Sequence, residues 1–237
     1  MAELPARERI ILAIDTSREE DAEKLAKVAQ EAGARFVKLG LELSSATSWR
    51  YCSDLAAAHK LDWVADAKLD DIPNTVVGAV KNISALAHPP FGITMHTTSG
   101  IEAMRAAQKE AGPIKMLGVT VLTSIKEDEV QNLYHVPVRQ KVMELSRDAV
   151  TAGVQGVVSS PLEVGMIKND PETSTLFAMI PSTRSASADV QDQARVGTPA
   201  AAIQDGADLL VIGRQITQAE NPALAYEQLV AEIEGAL

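Results

Sequence analysis

The stretch Val64-Ala65-Asp66-Ala67-Lys68-Leu69-Asp70-Asp71-Ile72-Pro73 runs from an apolar strand pattern straight into a cluster of charges. On a strand, side chains alternate between faces, so Asp66 and Lys68 share one side and Ala65, Ala67 and Leu69 the other. Asp70 and Asp71 follow where the strand should end, just before a proline that cannot continue a central strand. Carboxylate and ammonium groups on the inner face of a strand carry a desolvation cost that an ordinary core avoids. A surface ion pair is the bland explanation of any D-x-K. The apolar run that leads into this one points instead to charges held at a functional rim.

Similar apolar runs recur along the chain at Ile10-Ile14, Phe36-Leu39, Trp63-Ala67, Gly92-His96, Ile114-Leu122, Val154-Ser159, Leu176-Ile180 and Asp208-Gly213. Most are too short for helices and rich in Val and Ile, as strands buried on both faces should be. Helical patterns lie between them. Leu25, Val28, Ala29 and Ala32 repeat at helical spacing, with Gly33 as a C-terminal cap. Further helices are expected at 45–60, after Pro73 with Val76, Val77, Val80, Ile83 and Leu86 on one stripe, and at 101–111, 138–152, 161–169, 199–206 and 222–236. Eight strands alternating with about eight helices, without a break in composition, predict a single (β/α)8 barrel over residues 1–237. The competing architecture is an open doubly wound sheet. That fold usually carries a Gly-rich turn after its first strand, and Asp15-Thr16-Ser17 is not one.

The 237 residues are 46% hydrophobic, 23% charged and only 3% aromatic, an ordinary globular composition whose core must be aliphatic. The single Cys52 excludes an intramolecular disulfide and fits a reducing, cytoplasmic compartment. No apolar run approaches membrane-spanning length, and Met1-Ala2-Glu3-Leu4-Pro5 lacks the features of a signal peptide. A net charge of −10 disfavours nucleic acid as a partner, so an anionic ligand would need local basic groups.

Polar residues collect where the barrel strands should end: Asp15, Lys38, Asp66, Lys68, Asp71, His96, Thr123-Ser124, Arg184 and Gly213-Arg214. Each has a structural explanation by itself. Asp15 could cap a helix, Lys38 could snorkel, and His96 could be a satisfied core histidine. Taken jointly, those explanations would all have to place charge at one rim.

The sequence resembles the orotidine 5'-phosphate decarboxylase family along essentially its whole length. The matching segments are Ala13-Ile14-Asp15, Val37-Lys38-Leu39-Gly40, Asp66-Ala67-Lys68-Leu69-Asp70-Asp71-Ile72-Pro73-Asn74-Thr75, Val121-Leu122-Thr123-Ser124, Asp192-Gln193-Ala194-Arg195-Val196 and Val211-Ile212-Gly213-Arg214. The D-x-K-x-x-D-I-P-N-T string is the specific one. The resemblance implies a (β/α)8 homodimer without cofactor or metal that converts orotidine 5'-monophosphate to UMP and CO2 in pyrimidine biosynthesis. It implies a charged tetrad of Lys38, Asp66, Lys68 and Asp71, with Asp71 crossing the dimer interface and Lys68 protonating C6. By the same resemblance, Asp15 and the partner-facing Thr75 hold ribose hydroxyls and Thr123 contacts the pyrimidine. Arg184, Gln193, Gly213 and Arg214 serve the phosphate.

The chemistry agrees with that assignment. Loss of CO2 from C6 leaves a vinyl carbanion with nowhere to delocalise, and a fixed ammonium can stabilise and then protonate it. Two segments depart from the family's pattern. Ile180-Pro181-Ser182-Thr183-Arg184 stands where T-P-G-I-R is usual, and His96-Thr97-Thr98-Ser99-Gly100 where H-A-x-G-G is usual. Each loses a glycine, which leaves the loop conformations open.

Two other functions fit parts of the pattern. Related sugar-phosphate synthases and decarboxylases use a similar D-x-K-x-x-D with magnesium, although Lys38 would repel a divalent cation. A silent phosphonucleotide-binding scaffold is the other, although a scaffold has no physical reason to retain buried charge.

Overall fold

A computed structural model of the chain describes residues 4–185 and 195–237. The eight apolar runs form eight parallel strands: β1 (Ile10–Ile14), β2 (Phe36–Gly40), β3 (Asp62–Leu69), β4 (Gly92–His96), β5 (Lys115–Val119), β6 (Gly156–Val158), β7 (Phe177–Ile180) and β8 (Leu209–Ile212). They pair in sequence order and close through β8 on β1, with Ile11 opposite Val211. The closed barrel matches the expected architecture and excludes the open sheet.

The helices are α1 (Glu19–Glu31), α2 (Leu41–Ala46), α3 (Trp49–Ala58), α4 (Pro73–Ser84), α5 (Ile101–Ala111), α6 (Glu127–Tyr134), α7 (Val138–Ala152), α8 (Val164–Asn169), α9 (Pro199–Gln204), α10 (Arg214–Thr217) and α11 (Pro222–Glu234). The helix expected over 45–60 is two helices. The Ser48 hydroxyl accepts the Tyr51 N–H and starts α3 afresh, so the chain cannot run through. Helices α6 and α10 come from stretches where the apolar pattern is too short to announce them. Pro73 opens α4 at its first position, where a missing N–H is harmless.

Two apolar layers divide the core. Ile10, Leu12, Ile14, Ile93 and Met95 face outward to the helices. Ile11, Phe36, Val64, Leu117, Phe177, Leu209 and Val211 fill the barrel's interior. Burying each such large side chain contributes about 1.5–3 kcal/mol relative to exposure. The chain's three phenylalanines stopper the amino-terminal end of the barrel: Phe91 lies 5.0 Å from Phe36 and 5.8 Å from Phe177, centroid to centroid. Moving up each strand by two residues from this interior layer, Phe36 gives way to Lys38 and Val64 to Asp66. The open, polar end of the barrel is therefore the carboxyl end.

Candidate active site

A cleft of about 580 Å³ opens at that end. Asp15, Lys38, Asp66, Lys68, Thr123, Arg184, Gly213 and Arg214 line it, as the sequence leads one to expect. Asp66 is its charged centre, with 7% of its surface exposed. Its Oδ2 accepts from Lys68 Nζ at 2.6 Å and lies 3.1 Å from Lys38 Nζ. Lys38 also donates to Asp15 Oδ1 at 2.7 Å. Charge thus alternates Asp15, Lys38, Asp66, Lys68 along one side of the rim.

Burial by itself would push the Asp66 carboxyl up, but the two ammoniums beside it and the Lys68 and Thr94 hydrogen bonds outweigh that and hold it at about 2. Burial pulls Lys38 down, and Asp66 and Asp15 together reverse the effect, so its ammonium holds its proton more tightly than an ordinary lysine. His96, half-buried at the end of β4, is pulled below the usual histidine value, chiefly by burial.

Lys68 does not reach Asp66 by regular strand alternation. Its φ is +44°, in the left-handed region, and the β3–β4 register shifts between Ala65 and Leu69. Such a backbone costs about 1–2 kcal/mol in a residue with a side chain. Thr94 on β4 holds it there: its Oγ1 accepts the Lys68 N–H at 2.9 Å and donates to Asp66 Oδ1 at 2.9 Å. Thr94 was not among the residues the sequence singles out, though its place two residues before His96 on a strand puts it on the same face. Gly40 is another. A Cβ there would stand 3.2 Å from Lys38 Nζ and 3.6 Å from Asp66 Cβ, so its lack of a side chain leaves space for the ion pairs.

Asp71 and Thr75 are not brought into this chain's cleft. Both are exposed, and the Asp71 carboxylate accepts its neighbour's Ile72 N–H at 2.7 Å. Gln193 lies outside the described residues. The two segments that lost a glycine have settled differently. Ser182 itself takes φ +63°, the conformation the missing glycine would adopt more easily, and lines the cleft. Ser99 lies with its hydroxyl 2.8 Å from both Asp70 Oδ1 and the His96 carbonyl, tying the end of β3 to the turn after β4. Among the described residues no three His, Cys, Asp or Glu side chains converge as metal ligands, and no helix is long and apolar enough to cross a membrane.

Comparison with known proteins settles the family. Residues 8–229 match the model of the orotidine 5'-phosphate decarboxylase / HUMPS family. The chain belongs to that family. It is 39% identical to an orotidine 5'-phosphate decarboxylase of Anaeromyxobacter dehalogenans, over 94% of this chain and 97% of that one. With the enzyme of the same name from Thermobifida fusca it shares 37% identity, over 95% of each. The crystal structure of orotidine 5'-phosphate decarboxylase from Lactobacillus acidophilus superposes with a TM-score of 0.81 at 30% identity, covering 96% of this chain and 99% of that one.

Proposed function

We propose that this chain decarboxylates orotidine 5'-monophosphate to UMP and CO2, with Lys68 as the group that stabilises and protonates C6. The observation that carries the reading is the row Lys38–Asp66–Lys68, buried at its centre and bordering a cleft whose β7–β8 side carries Arg184 and Arg214. A substrate with a reacting ring at one end and a phosphate at the other suits a site with these two poles.

In this reading the C6–carboxylate bond breaks and its electron pair stays on C6. Lys68 Nζ, held by Asp66 at 2.6 Å, places positive charge beside that carbon and then gives it a proton. Because the ammonium is oriented before substrate arrives, little reorganisation accompanies the reaction. Asp15, tethered by Lys38, is the ribose ligand and Thr123 the pyrimidine contact. Gln193, Gly213 and the two arginines take the phosphate. Arginine's forked donors suit a phosphate dianion, which the net charge of −10 would otherwise repel.

The reaction in this reading needs no metal or cofactor. Asp15 and Asp66 are already neutralised by Lys38 and Lys68, so a divalent cation would have to displace two ammoniums to gain its carboxylates. The active unit in this reading is a homodimer in the cytoplasm. Residues 71–75 are all exposed beside the cleft, and Ile72 leaves 67% of its surface open between Asp71 and Pro73. A partner covering this segment would bury Ile72 and bring Asp71 and Thr75 to the neighbouring site.

The test is a direct ultraviolet assay of orotidine 5'-monophosphate loss, with and without a chelator. Equal turnover in both arms is expected. Chelator-sensitive activity restored by magnesium would overturn the metal-free chemistry, and UMP binding without turnover would make the chain a silent binding barrel.

A further inference from the structure

The residue after each rim arginine is bonded to its counterpart. Ser185 follows Arg184, and Gln215 follows Arg214. Gln215 Nε2 donates to Ser185 Oγ at 2.6 Å, and the Ser185 N–H returns a bond to Gln215 Oε1 at 3.3 Å. Ser185 then donates its hydroxyl to Glu232 Oε2 on α11 at 2.6 Å. The chain has one direction, from amide to hydroxyl to carboxylate. The carboxylate takes the only hydroxyl proton, which leaves an oxygen lone pair facing Gln215 and makes it a stronger acceptor.

These bonds join the loop after β7 to α10 across 30 residues of sequence. Helix α10 spans four residues, too few to hold its own orientation by internal hydrogen bonds. Arg214 begins that helix, and Arg184 lies one residue before Ser185. Two guanidiniums that border one cleft also repel each other. Arg184 Nη1 donates to the Thr183 carbonyl at 2.8 Å, and a link between the segments that carry the two arginines adds to what holds them in place before an anion arrives.

We propose that Ser185, Gln215 and Glu232 form a positioning clasp that fixes the separation of Arg184 and Arg214, so that both address one phosphate dianion. The inference rests on the reading of those arginines as phosphate contacts. The clasp makes the phosphate subsite preorganised, which raises affinity by removing an ordering cost rather than by adding a contact.

The test compares the nucleotide substrate with orotidine, its phosphate-free nucleoside. Gln215→Ala should lower kcat/KM for the nucleotide about tenfold, mainly through KM, and leave the nucleoside unchanged. Ser185→Ala severs the same chain from the other side and should reproduce that pattern, while Ser185→Thr keeps a hydroxyl and should retain most of the activity. In an Arg184→Ala background Gln215→Ala should lose most of its effect. UMP and uridine affinities by calorimetry give the same contrast without turnover. Equal losses on both substrates, or an undiminished loss in the Arg184→Ala background, would overturn the clasp. If Arg184→Ala and Arg214→Ala themselves fail to discriminate nucleotide from nucleoside, the phosphate reading is what fails. If they discriminate and Gln215→Ala is silent, the clasp alone fails.

Discussion

Thr94 donates its hydroxyl to Asp66 Oδ1 at 2.9 Å, from the neighbouring strand inside the barrel. The threonine's own Oγ1 accepts the Lys68 N–H, so one hydroxyl serves both the carboxylate and the left-handed backbone beside it. Thr94→Val keeps the shape and removes both bonds. It strands a buried acceptor and a strained N–H, which should destabilise the fold by about 1–3 kcal/mol. Turnover should fall with it, because Lys68 loses the support that fixes its position. Denaturant midpoints and kcat read the two effects; an unchanged kcat would show that Lys68 is positioned by Asp66 alone.

The left-handed turn at Lys68 permits a separate test of geometry against chemistry. Lys68→Ala removes the ammonium but keeps a side chain at φ +44°, whereas Lys68→Gly also relieves the backbone. Both should lose at least about a hundredfold in kcat, the usual scale for a lost electrostatic group. The glycine variant should be the more stable by about 1 kcal/mol. Turnover above a tenth of wild type in either would remove Lys68 from its proposed role.

Acid should erode stability in two stages. His96 is held below the usual 6.5, so between its folded value and 6.5 the unfolded chain binds a proton that the folded chain refuses. Stability therefore falls as pH drops through that window. Asp66 is held at about 2 against an ordinary 3.8; its contribution is complete above 3.8 and lost as pH falls through about 2. A shift of that size corresponds to about 2 kcal/mol. Lys38 acts at the other extreme, stabilising below the ordinary 10.5 and losing that contribution as pH rises through its higher folded value. Urea titrations across pH should show both acid steps, and His96→Gln should remove only the upper one. Persistence of the upper step in His96→Gln would assign it to another group.

The barrel is legible in the sequence because strands covered on both faces must be apolar throughout, so Ile10–Ile14 and Leu209–Ile212 read as strands without alternation. The charged row is legible for the complementary reason: Lys38 and Asp66 interrupt such runs at one end only. What alternation cannot supply is the backbone of Lys68, since a regular strand would also put it beside Asp66. Thr94 is hidden because threonine is common on strands, and its role appears only when β4 pairs with β3. Gly40 is hidden because its use is the absence of atoms near Lys38. Ser182 shows the opposite limit. A missing glycine suggests a changed loop, yet serine accepts the same left-handed backbone at a modest energetic cost.

The exposed position of Asp71 leads to the last prediction. Its carboxylate is occupied by the Ile72 N–H and lies outside its own chain's cleft, while Lys68 lines that cleft. If two chains share sites in the proposed way, each site takes Lys68 from one subunit and Asp71 from the other. Lys68→Ala and Asp71→Ala homodimers should then both be inactive. Unfolding the two together and refolding them as a mixture yields heterodimers in which one site lacks both residues and the other has both intact. Random pairing makes about half of the dimers mixed, so about a quarter of wild-type activity should return. Differently tagged chains, isolated by tandem affinity steps, would confirm that the mixed dimers had formed. Mixed dimers that form and stay inactive would place Asp71 outside the neighbouring site, and an Asp71→Ala homodimer of wild-type activity would remove it from the chemistry altogether.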